Sequence, residues 1–306
     1  MDVYQLETFL AVAEEKTFSR AAQRLHRTQP AISQTIRKLE QSVGEPLFDR
    51  SSRDGTLTAA GRLLQEYAQR ILNLRQETRQ ALDDLRSLRT GRLVIAANEF
   101  TCLFLLHVLE EYRRLHPMIT ITVQRSLASR VAHEVLNHNA ELGMLSFRPL
   151  DPRLRSVVVY RDELAFIVHP QHPLARRKEV TIRQLGTETF VAHNVPSPYR
   201  AKVLDAFQRH RTPLNMDVEL PTLEAIRKFV GRGIGVALVP LLAVEEQIAR
   251  GELVRVRIRE LQLERKLRLA YRRTSPLSHA AQALLQIVRR RAGEQGGRFL
   301  YQTESA

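Results

Sequence analysis

The chain has 306 residues, of which 43% are hydrophobic, and this is enough for two domains with apolar cores. Its formal net charge of +14 predicts an anionic partner, with nucleic acid as the first candidate. A single cysteine, Cys102, excludes an intrachain disulfide, and the sequence contains no signal peptide and no run of about 20 apolar residues that could span a membrane. We therefore expect a cytoplasmic protein.

The positive charge near the N-terminus is local. Residues 1–60 contain eight Lys or Arg and eight Asp or Glu, so their net charge is zero. Between Lys16 and Lys38, however, there are six basic residues and no acidic one. A further basic excess lies late in the chain, where a solvated surface is the favoured interpretation. DNA binding is therefore predicted from the first cluster and not from the total charge.

A first helix is predicted over residues 3–14, and a second, short helix follows it. Ala21, Ala22 and Leu25 form the apolar face of this second helix, and Ser19 can serve as its N-cap. The chain then turns before a third helix. Two short helices joined by such a turn are typical of a helix-turn-helix.

Thr28 and Pro30 mark the start of the third helix, one as its N-cap and the other in the first turn, where a missing N–H costs little. Four apolar residues recur at helical spacing and are expected to face inward: Ile32, Ile36, Leu39 and Val43. The outward side and the exposed start carry groups that suit base edges and phosphates, on Thr28, Gln29, Ser33, Gln34 and Arg37. This pattern predicts a helix that lies in a DNA major groove. The alternative is an ordinary helical hairpin with a solvated basic face.

A short hairpin is predicted after the third helix. Gly44 stops that helix, and an extended segment follows it. Asp54-Gly55 indicates a tight turn before a returning strand. The pattern is typical of the wing of a winged helix, and Arg50 and Arg53 would lie on it within reach of phosphate. The alternative for each arginine is an exposed loop position.

A long helix is predicted over residues 59–88, with Thr58 as its N-cap. Its apolar positions alternate steps of four and three residues, a period typical of a coiled coil. These positions are Ala60, Leu64, Tyr67, Ile71, Leu74, Thr78, Ala81, Leu85 and Leu88. We expect the helix to pair with a second copy of itself, which gives a dimer with two DNA-reading helices. The alternative is a helix that lies on its own domain.

Beyond a break at residues 89–92, the pattern changes to alternating strands and helices. Strands are predicted at residues 93–97, 119–123, 142–145, 157–159, 164–168, 190–192, 216–220, 236–239, 253–256 and 267–271. This order is typical of an α/β fold with mostly parallel sheets, which bind ligands beyond the carboxyl ends of their strands. The polar, Gly-containing tail over residues 293–306 is expected to be loose.

The sequence resembles the LysR-type transcriptional regulators over residues 3–291. The most specific part is FLAVAEEKTFSRAAQRLHRTQPAISQTIRKLEQSVGEPLFDRSSRDGTLTAAG, residues 9–61, and weaker marks are HPLA at 172–175 and GRGIGVALVP at 231–240. The resemblance implies a winged helix-turn-helix DNA-binding domain at residues 1–58 and a dimerising linker helix at 59–90. It implies DNA contacts by Gln29, Pro30, Ser33, Gln34 and Arg37, and by Arg50 and Arg53 of the wing.

The resemblance also implies an α/β effector-binding domain at residues 91–306 that is similar to periplasmic binding proteins. Its two subdomains would be joined by crossover strands. The first subdomain would comprise about 91–162 and 267–306, and the second about 163–266. The loop after the first strand of such a domain supplies hydroxyl and backbone N–H groups to an anionic effector, because a helix N-terminus offers unpaired donors.

Effector contacts are expected on this loop and at other strand ends and helix starts, at Asn98, Glu99, Phe100, Thr101, Ala128, Phe147, Arg148, Asn194, Ser197 and Thr222. The alternative for each is a cap or loop position. Glu99 departs from the small hydroxyl residue that is usual in the family, and it would repel a carboxylate that it faced. Three alternatives remain for it: Glu99 points away from the cleft, the ligand carries a donor or positive group, or the pocket responds to something else.

The sequence contains no pattern that indicates catalysis, a metal site or a cofactor. His133 and His138, with Glu134, resemble a zinc-protease motif, but their spacing turns the two rings roughly 140° apart on a helix. The rivals to a regulator are a solute-binding protein of transport and an enzyme with a DNA-binding appendage. The helix-turn-helix favours the regulator, whose expected partners are double-stranded DNA, a small polar or anionic effector and further copies of itself, as a dimer or tetramer.

Overall fold

The computed structural model describes residues 1–49, 55–86, 91–195 and 197–304. It divides into two compact units, the first comprising Met1–Leu88 with Asn137–Asn139 and the second comprising Arg89–Leu136 with Ala140–Ala306. The helices of the first unit are α1 (Val3–Glu15), α2 (Phe18–Arg24), α3 (Gln29–Val43) and α4 (Ala59–Arg86).

The helix ends in the first unit follow from local hydrogen bonds. Thr17, not Ser19, caps α2, because Thr17 has an extended backbone and its hydroxyl accepts from the N–H of Arg20 at 3.2 Å. Thr28 stands at the N-cap position of α3 as predicted, although its side chain makes no capping hydrogen bond. The predicted stop at Gly44 is confirmed, since its φ of 83° is a left-handed conformation that glycine adopts at low cost.

One apolar core holds these helices together. Ile32, Ile36 and Leu39 of α3 are at most 3% exposed, as predicted. They pack with Leu6, Phe9, Leu10, Val12, Ala21, Ala22, Leu47, Phe48 and Ala68. Each large side chain buried in this way contributes about 1.5–3 kcal/mol. Val43 is 40% exposed against the prediction, because it is the last residue of α3 and the chain leaves the core there.

The two flanks of the predicted hairpin pair with each other. Phe48 and Leu57 form an antiparallel bridge, and the N–H of Asp49 donates to the carbonyl of Thr56 at 2.7 Å. The turn between them, with Arg50 and Arg53, lies outside the described residues. Thr58 caps α4 as predicted, by accepting from the N–H of Gly61 at 3.0 Å. At Gly61 a Cβ would lie 2.1 Å from the carbonyl oxygen of Leu47, so the close packing of α4 on this segment requires glycine.

The second unit alternates strands and helices. In chain order they are β1 (Gly91–Ala97), α5 (Glu99–Leu115), β2 (Ile119–Arg125), α6 (Val131–Leu136), β3 (Leu142–Leu145), β4 (Leu154–Val168), β5 (Glu179–Val180), β6 (Thr189–His193), α7 (Pro198–Arg209), β7 (Asn215–Leu220), α8 (Leu223–Gly231), β8 (Ala237–Pro240), α9 (Glu245–Ala249), β9 (Val254–Ile258), β10 (Glu264–Arg272), α10 (His279–Gln295) and β11 (Phe299–Glu304).

The main sheet of the second unit is mixed. Its strand order is β2-β1-β3-β10-β4-β9-β5, and β8 and β11 also pair with β4. Strand β1 is parallel to β2 and β3, whereas β4 is antiparallel to β8, β9, β10 and β11. The expectation of mostly parallel sheets is therefore wrong. The physical reason is that β4 and β10 run in opposite directions as they connect the two halves of the unit.

Strand β4 belongs to both halves. The sequence pattern predicts separate strands at 157–159 and 164–168, but the structure has one strand, because the charged residues between them stay extended. Asp162 pairs with Arg265 of β10, so the ladder continues through this segment. Strands β4 and β10 thus connect subdomain I (β1, β2, β3, β11, α5, α6 and α10) to subdomain II (β5 to β9, α7, α8 and α9). Each subdomain has its own apolar core.

Residues 293–304 of the C-terminal tail form regular structure, contrary to the prediction that the tail is loose. Helix α10 continues to Gln295, and β11 pairs antiparallel with β4. Phe299 lies edge-on to Tyr160, with ring centroids 5.2 Å apart, and also contacts Phe104. These aromatic contacts explain the strand, because they bury apolar surface that the residue composition of the tail does not indicate.

Candidate functional site

The exposed side of α3 carries the polar residues that are predicted to contact DNA. The buried side, with Ile32 and Ile36, fixes the helix against the core. Gln29 donates from Nε2 to Oγ of Ser33 at 3.3 Å, so these two side chains share one turn of the exposed side. Ser33 is half-buried, and the other predicted residues of this helix are exposed: Thr28, Gln29, Pro30, Gln34 and Arg37.

Basic residues lie close to this surface along the chain. Arg27 and Lys38 are exposed. Arg24 differs, because its guanidinium donates to Glu14 at 2.5 Å and to Glu15 at 3.3 Å. One of the six basic residues of the cluster is therefore neutralised locally. The others give this part of the unit a positive character that suits the phosphates of a nucleic acid.

Helix α4 has two apolar sides with different surroundings. The side that packs on the core of the first unit consists of Ala60, Leu64, Ala68 and Leu72. The exposed side, here called the α4 stripe, consists of Leu63, Tyr67, Ile71 and Leu74, which are between 40% and 61% exposed. Ala60 and Leu64 were predicted to pair with a second copy, and this is wrong, because they hold α4 on its own domain.

A cavity opens between subdomains I and II. Its empty volume is about 860 Å³, a figure that includes the part open to solvent. Its apolar wall includes Leu164, Phe190, Val203, Leu214, Met216, Leu238 and Pro240. Its polar end includes Ser146, Ser197, Tyr199 and Arg265, where Tyr199 contacts both Ser146 and Arg265, and Asn98 lines the cavity as well. The cavity thus presents a polar end and an apolar wall to a ligand.

Several predicted effector contacts lie at this cavity. Those that line it are Asn98, Phe100, Ala128 and Ser197. Asn98 and Ser197 cap α5 and α7, with side-chain oxygens that accept backbone N–H bonds at 2.9 and 3.1 Å. The capped helix starts therefore face the cavity, where a helix offers unpaired N–H donors. Glu99 and Thr222 line an adjoining pocket together with Asn98.

Four further predicted effector contacts lie away from both pockets. Thr101 is fully buried, and its hydroxyl accepts from the N–H of Asn98 at 3.2 Å within the capping box of α5. Phe147 packs against a core cluster of subdomain I. Arg148 and Asn194 are exposed. The structure thus places these residues at a cap, in the core and on the surface.

Sequence reasoning missed Arg265 at the polar end of the cavity. Its guanidinium carbon lies 5.1 Å from the ring centroid of Tyr199, and its Nε has no hydrogen-bond partner among the described residues. The hydroxyl of Tyr199 donates to the carbonyl of Ser146 at 2.8 Å, which joins α7 to subdomain I. The sequence does contain one indication of this site. Arg265 lies two residues before the buried Leu267, and side chains two residues apart in a strand lie on the same face, so the charge of Arg265 is expected on the buried face.

Glu99 reaches across the cleft to subdomain II. Its Oε1 accepts from the backbone N–H of Leu223 at 2.9 Å, and its Oε2 lies 3.2 Å from Nε2 of His193. Both partners belong to subdomain II, whereas Glu99 is the first residue of α5 in subdomain I. The alternative in which Glu99 points away from the cleft is therefore wrong.

Cys102 lines the same adjoining pocket as Glu99 and is half-buried. Burial raises the pKa of the Cys102 thiol above its ordinary value, because the charged thiolate is poorly solvated there. The thiolate is the reactive form of cysteine. The environment therefore disfavours nucleophilic or redox chemistry at this residue at neutral pH.

The described residues offer no cluster of metal ligands, because they contain no group of three or more His, Cys, Asp or Glu side chains that could hold a metal ion. Among the helices within the described ranges, none combines the length and apolar character that crossing a bilayer requires.

Comparison with protein families identifies the two units. The family described as "Bacterial regulatory helix-turn-helix protein, lysR family" matches residues 3–62, and the "LysR substrate binding domain" matches residues 86–293. The chain belongs to the LysR family. The predicted resemblance is therefore confirmed.

Relatives of this LysR-family chain carry regulator names. A "Probable RuBisCO transcriptional regulator" from Cyanidioschyzon merolae is 33% identical over 287 residues, which cover 91% of this chain and 93% of the relative. A protein of the same name from Synechocystis sp. is 32% identical over 291 residues, covering 93% of this chain and 84% of the relative. The "HTH-type transcriptional activator CmpR" from Synechocystis sp. is 27% identical, covering 94% of each chain.

Solved structures of LysR-family regulators share the fold. The crystal structure of CbnR has a TM-score of 0.74 at 22% identity, covering 95% of this chain and 99% of that chain, and a crystal structure of full-length CbnR with its target DNA gives the same values. A full-length OxyR variant from Pseudomonas aeruginosa has a TM-score of 0.69 at 21% identity, covering 94% and 95%. The predicted fold class is thereby confirmed.

Family membership decides the broad function. This LysR-type protein is a DNA-binding transcriptional regulator with an effector-binding domain. Its family and relatives are regulators, which is a non-enzymatic class, so the rival interpretation as an enzyme is wrong. The helix-turn-helix match over residues 3–62 likewise distinguishes it from a solute-binding protein of transport.

Proposed function

We propose that this regulator reads specific DNA sequences with the exposed side of α3 and changes its DNA binding when a small molecule occupies the cleft. The observation that carries the proposal is the division of α3 into a buried apolar side and an exposed side of amide, hydroxyl and guanidinium groups. Such groups match the donors and acceptors of base edges in a major groove. The proposed contacts are Thr28, Gln29, Pro30, Ser33, Gln34 and Arg37, with Arg50 and Arg53 of the wing.

The α4 stripe supports self-association as the second part of the proposal. Leu63, Tyr67, Ile71 and Leu74 recur along one helix with their side chains exposed to water. Apolar surface of this kind is stabilised when a second copy covers it. We propose that two chains pair along α4, which sets two copies of α3 to address two half-sites. The assembly is a dimer or a tetramer, and it acts in the cytoplasm, where the DNA is accessible.

The lining of the cavity supports the class of effector. The start of α7, with Ser197 as its cap, and Nε of Arg265, which has no partner among the described residues, supply donors at one end. Leu214 and Met216 belong to the apolar wall. We therefore propose a small molecule with a polar or anionic group and an apolar body. Its different affinity for two arrangements of the assembly would shift their populations and move the DNA-reading helices.

The DNA part is tested by fluorescence anisotropy with the full-length protein and labelled duplexes from upstream of neighbouring genes. We expect one duplex to bind at least about a thousandfold tighter than a scrambled duplex. Raising the salt should weaken binding along a straight line in log Kd against log salt. Gln41→Ala, on an exposed position of α3 outside the proposed contacts, is the matched control and should leave the affinity unchanged. Equal affinity for all duplexes would contradict sequence-specific regulation.

The effector part is tested by a thermal-shift screen of small organic acids and their uncharged analogues. A true effector should raise the melting temperature, because it binds the native state. It should also change the affinity of the protein for the duplex found above. A compound that stabilises the protein without altering DNA binding would be a ligand and not an effector.

A further inference from the structure

The carboxylate of Glu99 occupies a position in the cleft that an anionic ligand could otherwise take. Glu99 is the first residue of α5, and its two oxygens contact two different elements of subdomain II. One oxygen accepts from the N–H of Leu223 at 2.9 Å and the other lies 3.2 Å from Nε2 of His193. The side chain of Glu99 is 30% exposed, so the pair is partly shielded from water.

The contact with Leu223 places this carboxylate at the start of α8. Thr222 caps the helix by accepting from the N–H of Ala225 at 3.1 Å. The N–H of Leu223, one residue after the cap, has no carbonyl of its own helix to bond, so it needs an acceptor from elsewhere. Glu99 supplies that acceptor from the other subdomain. A negative charge at this end of a helix is also stabilised by the helix dipole.

The contact with His193 fixes the other oxygen. Nδ1 of His193 accepts from the backbone N–H of Val195 at 3.1 Å. In the neutral ring, a bond accepted at Nδ1 leaves the proton on Nε2, which then donates to Glu99. Phe100 lies edge-on to the imidazole at 5.0 Å between centroids and helps to hold its plane. The imidazole is thus oriented as a donor to this one carboxylate.

The charged side chains near Glu99 are compatible with a carboxylate at this position. Arg125 lines the same pocket as Glu99. Arg200 donates to the carbonyl of His193 at 3.3 Å and pairs with the carboxylate of Glu219. The charge of Arg200 is thus balanced by Glu219, and the groups close to Glu99 are the N–H of Leu223, the imidazole of His193 and, in the lining of the same pocket, Arg125. An external anion would also require donors and a cation of this kind.

We propose that the carboxylate of Glu99 occupies an anion-binding position in the cleft and thereby determines which effectors the cleft accepts. This inference rests on the proposed function of the cleft as the effector site. The carboxylate accepts from the N–H of Leu223 at the start of α8 and from Nε2 of His193. Its negative charge repels any second anionic group from these two donors. An anionic group of an effector must then bind at the polar end of the cavity, beside Tyr199 and Arg265. The same carboxylate ties α5 to subdomain II before any ligand enters.

The test uses full-length protein, with Glu99→Ser as the main variant and Glu110→Ser as the control. Glu110 is exposed on the same helix, so its replacement removes the same charge without touching the cleft. Amide hydrogen exchange at Leu223 should be roughly tenfold faster in E99S, because a charge-assisted hydrogen bond is lost. It should be unchanged in E110S. Unchanged exchange at Leu223 in a folded E99S would overturn the proposal.

Sulfate is the second probe, measured at constant ionic strength against chloride. Sulfate stabilises folded proteins in general, so we expect some rise in melting temperature for all three proteins. The rise should be larger for E99S than for the wild type or E110S, because only E99S has a vacant start of α8 beside His193. Equal stabilisation of all three proteins would overturn the proposal.

Glu99→Gln is the alternative variant if E99S does not fold. Its side chain is neutral, so amide hydrogen exchange at Leu223 should be faster than in the wild type. Exchange at the wild-type rate would refute a role for the charge of Glu99. Neither readout involves DNA or an effector, so the proposed function and this inference can fail independently.

Discussion

Asp162 and Arg265 face each other across the two strands that connect the subdomains, and together they form a buried ion pair. Nη1 of Arg265 donates to Oδ2 of Asp162 at 2.7 Å, and the two side chains are 4% and 1% exposed. The other oxygen of Asp162 accepts from the N–H of Leu242 at 3.1 Å. The pair therefore joins β4, β10 and the turn after β8, at the point where the cavity has its polar end.

We predict that Arg265→Met strongly destabilises the protein. The substitution keeps much of the side-chain volume but leaves the carboxylate of Asp162 buried without its cation, which costs about 3–5 kcal/mol. Urea unfolding followed by circular dichroism measures this loss. Arg161→Met is the control, because Arg161 is the preceding residue of β4 and its side chain is 50% exposed. A loss in R265M no greater than that in R161M would show that the ion pair contributes little.

The instability of R265M should depend on pH. Burial raises the pKa of the Asp162 carboxyl above its ordinary value, and the charge of Arg265 opposes this rise. Removing Arg265 raises that pKa further. When the pKa of a carboxyl is higher in the folded than in the unfolded state, the protein keeps its stability at a pH below the unfolded-state pKa of about 3.9. It loses stability as the pH rises through the folded-state pKa. The difference in unfolding free energy between R265M and wild type should thus be large at pH 7 and narrow as the pH falls towards 4.

We predict that Gln29→Ala weakens discrimination among DNA sequences. Gln29 is exposed at the start of α3, where its amide can bond a base edge, and such a contact contributes about 1–3 kcal/mol of discrimination. The ratio of Kd values for the target duplex and a single-base variant measures it. Arg53→Ala should instead weaken binding to all duplexes alike, because the wing arginine is proposed to contact phosphate. Identical behaviour of Q29A and R53A would contradict this division of roles.

We predict that Leu74→Asp dissociates the oligomer without unfolding the chain. Leu74 is 50% exposed on the α4 stripe, so a charge there is tolerated in one chain and disfavoured between two apolar surfaces. Sedimentation velocity should show monomers for L74D and oligomers for Gln76→Asp, an exposed position outside the stripe. An L74D protein that sediments as wild type would refute pairing along the stripe.

The buried side of α4 should respond differently. Leu64 packs against the core of the first unit, so Leu64→Asp puts a charge into an apolar environment. We expect the melting temperature to fall and DNA binding to be lost together, through unfolding of the first unit. Circular dichroism of L64D beside L74D distinguishes the two sides of the helix. Equal melting temperatures for the two variants would contradict the assignment of sides.

We predict that Cys102 reacts slowly with iodoacetamide at pH 7. Burial raises the pKa of its thiol, so the thiolate fraction at a given pH is lower than that of a free cysteine. The alkylation rate should rise as the pH increases above the ordinary thiol range of about 8.5. Free cysteine at each pH is the control, measured by mass spectrometry. Faster reaction of Cys102 than of free cysteine at pH 7 would indicate an activated thiol.

The cleft shows where sequence reasoning reached its limit. Asn98, Ser197 and Thr222 are predicted as effector contacts, with a cap or loop position as the alternative, and in the structure they are the caps of α5, α7 and α8. Caps are local features, because a side chain bonds a backbone N–H two or three residues ahead. Arg265 and Tyr199 were missed, because the cavity brings together residues far apart in the chain. The contact between Glu99 and Leu223 joins positions separated by 124 residues, and no local pattern contains it.

The amino-acid sequence by itself determined the helix-turn-helix, the long α4 helix and the alternating strands and helices, because helical spacing, strand alternation and capping residues act over a few neighbouring positions. Only the tertiary structure decided which side of α4 is covered, that β4 is one continuous strand, and that the tail adds β11. It also decided that Glu99 bonds to subdomain II. Each of these depends on long-range packing and on the pairing of buried charges, whose partners the order of residues does not specify.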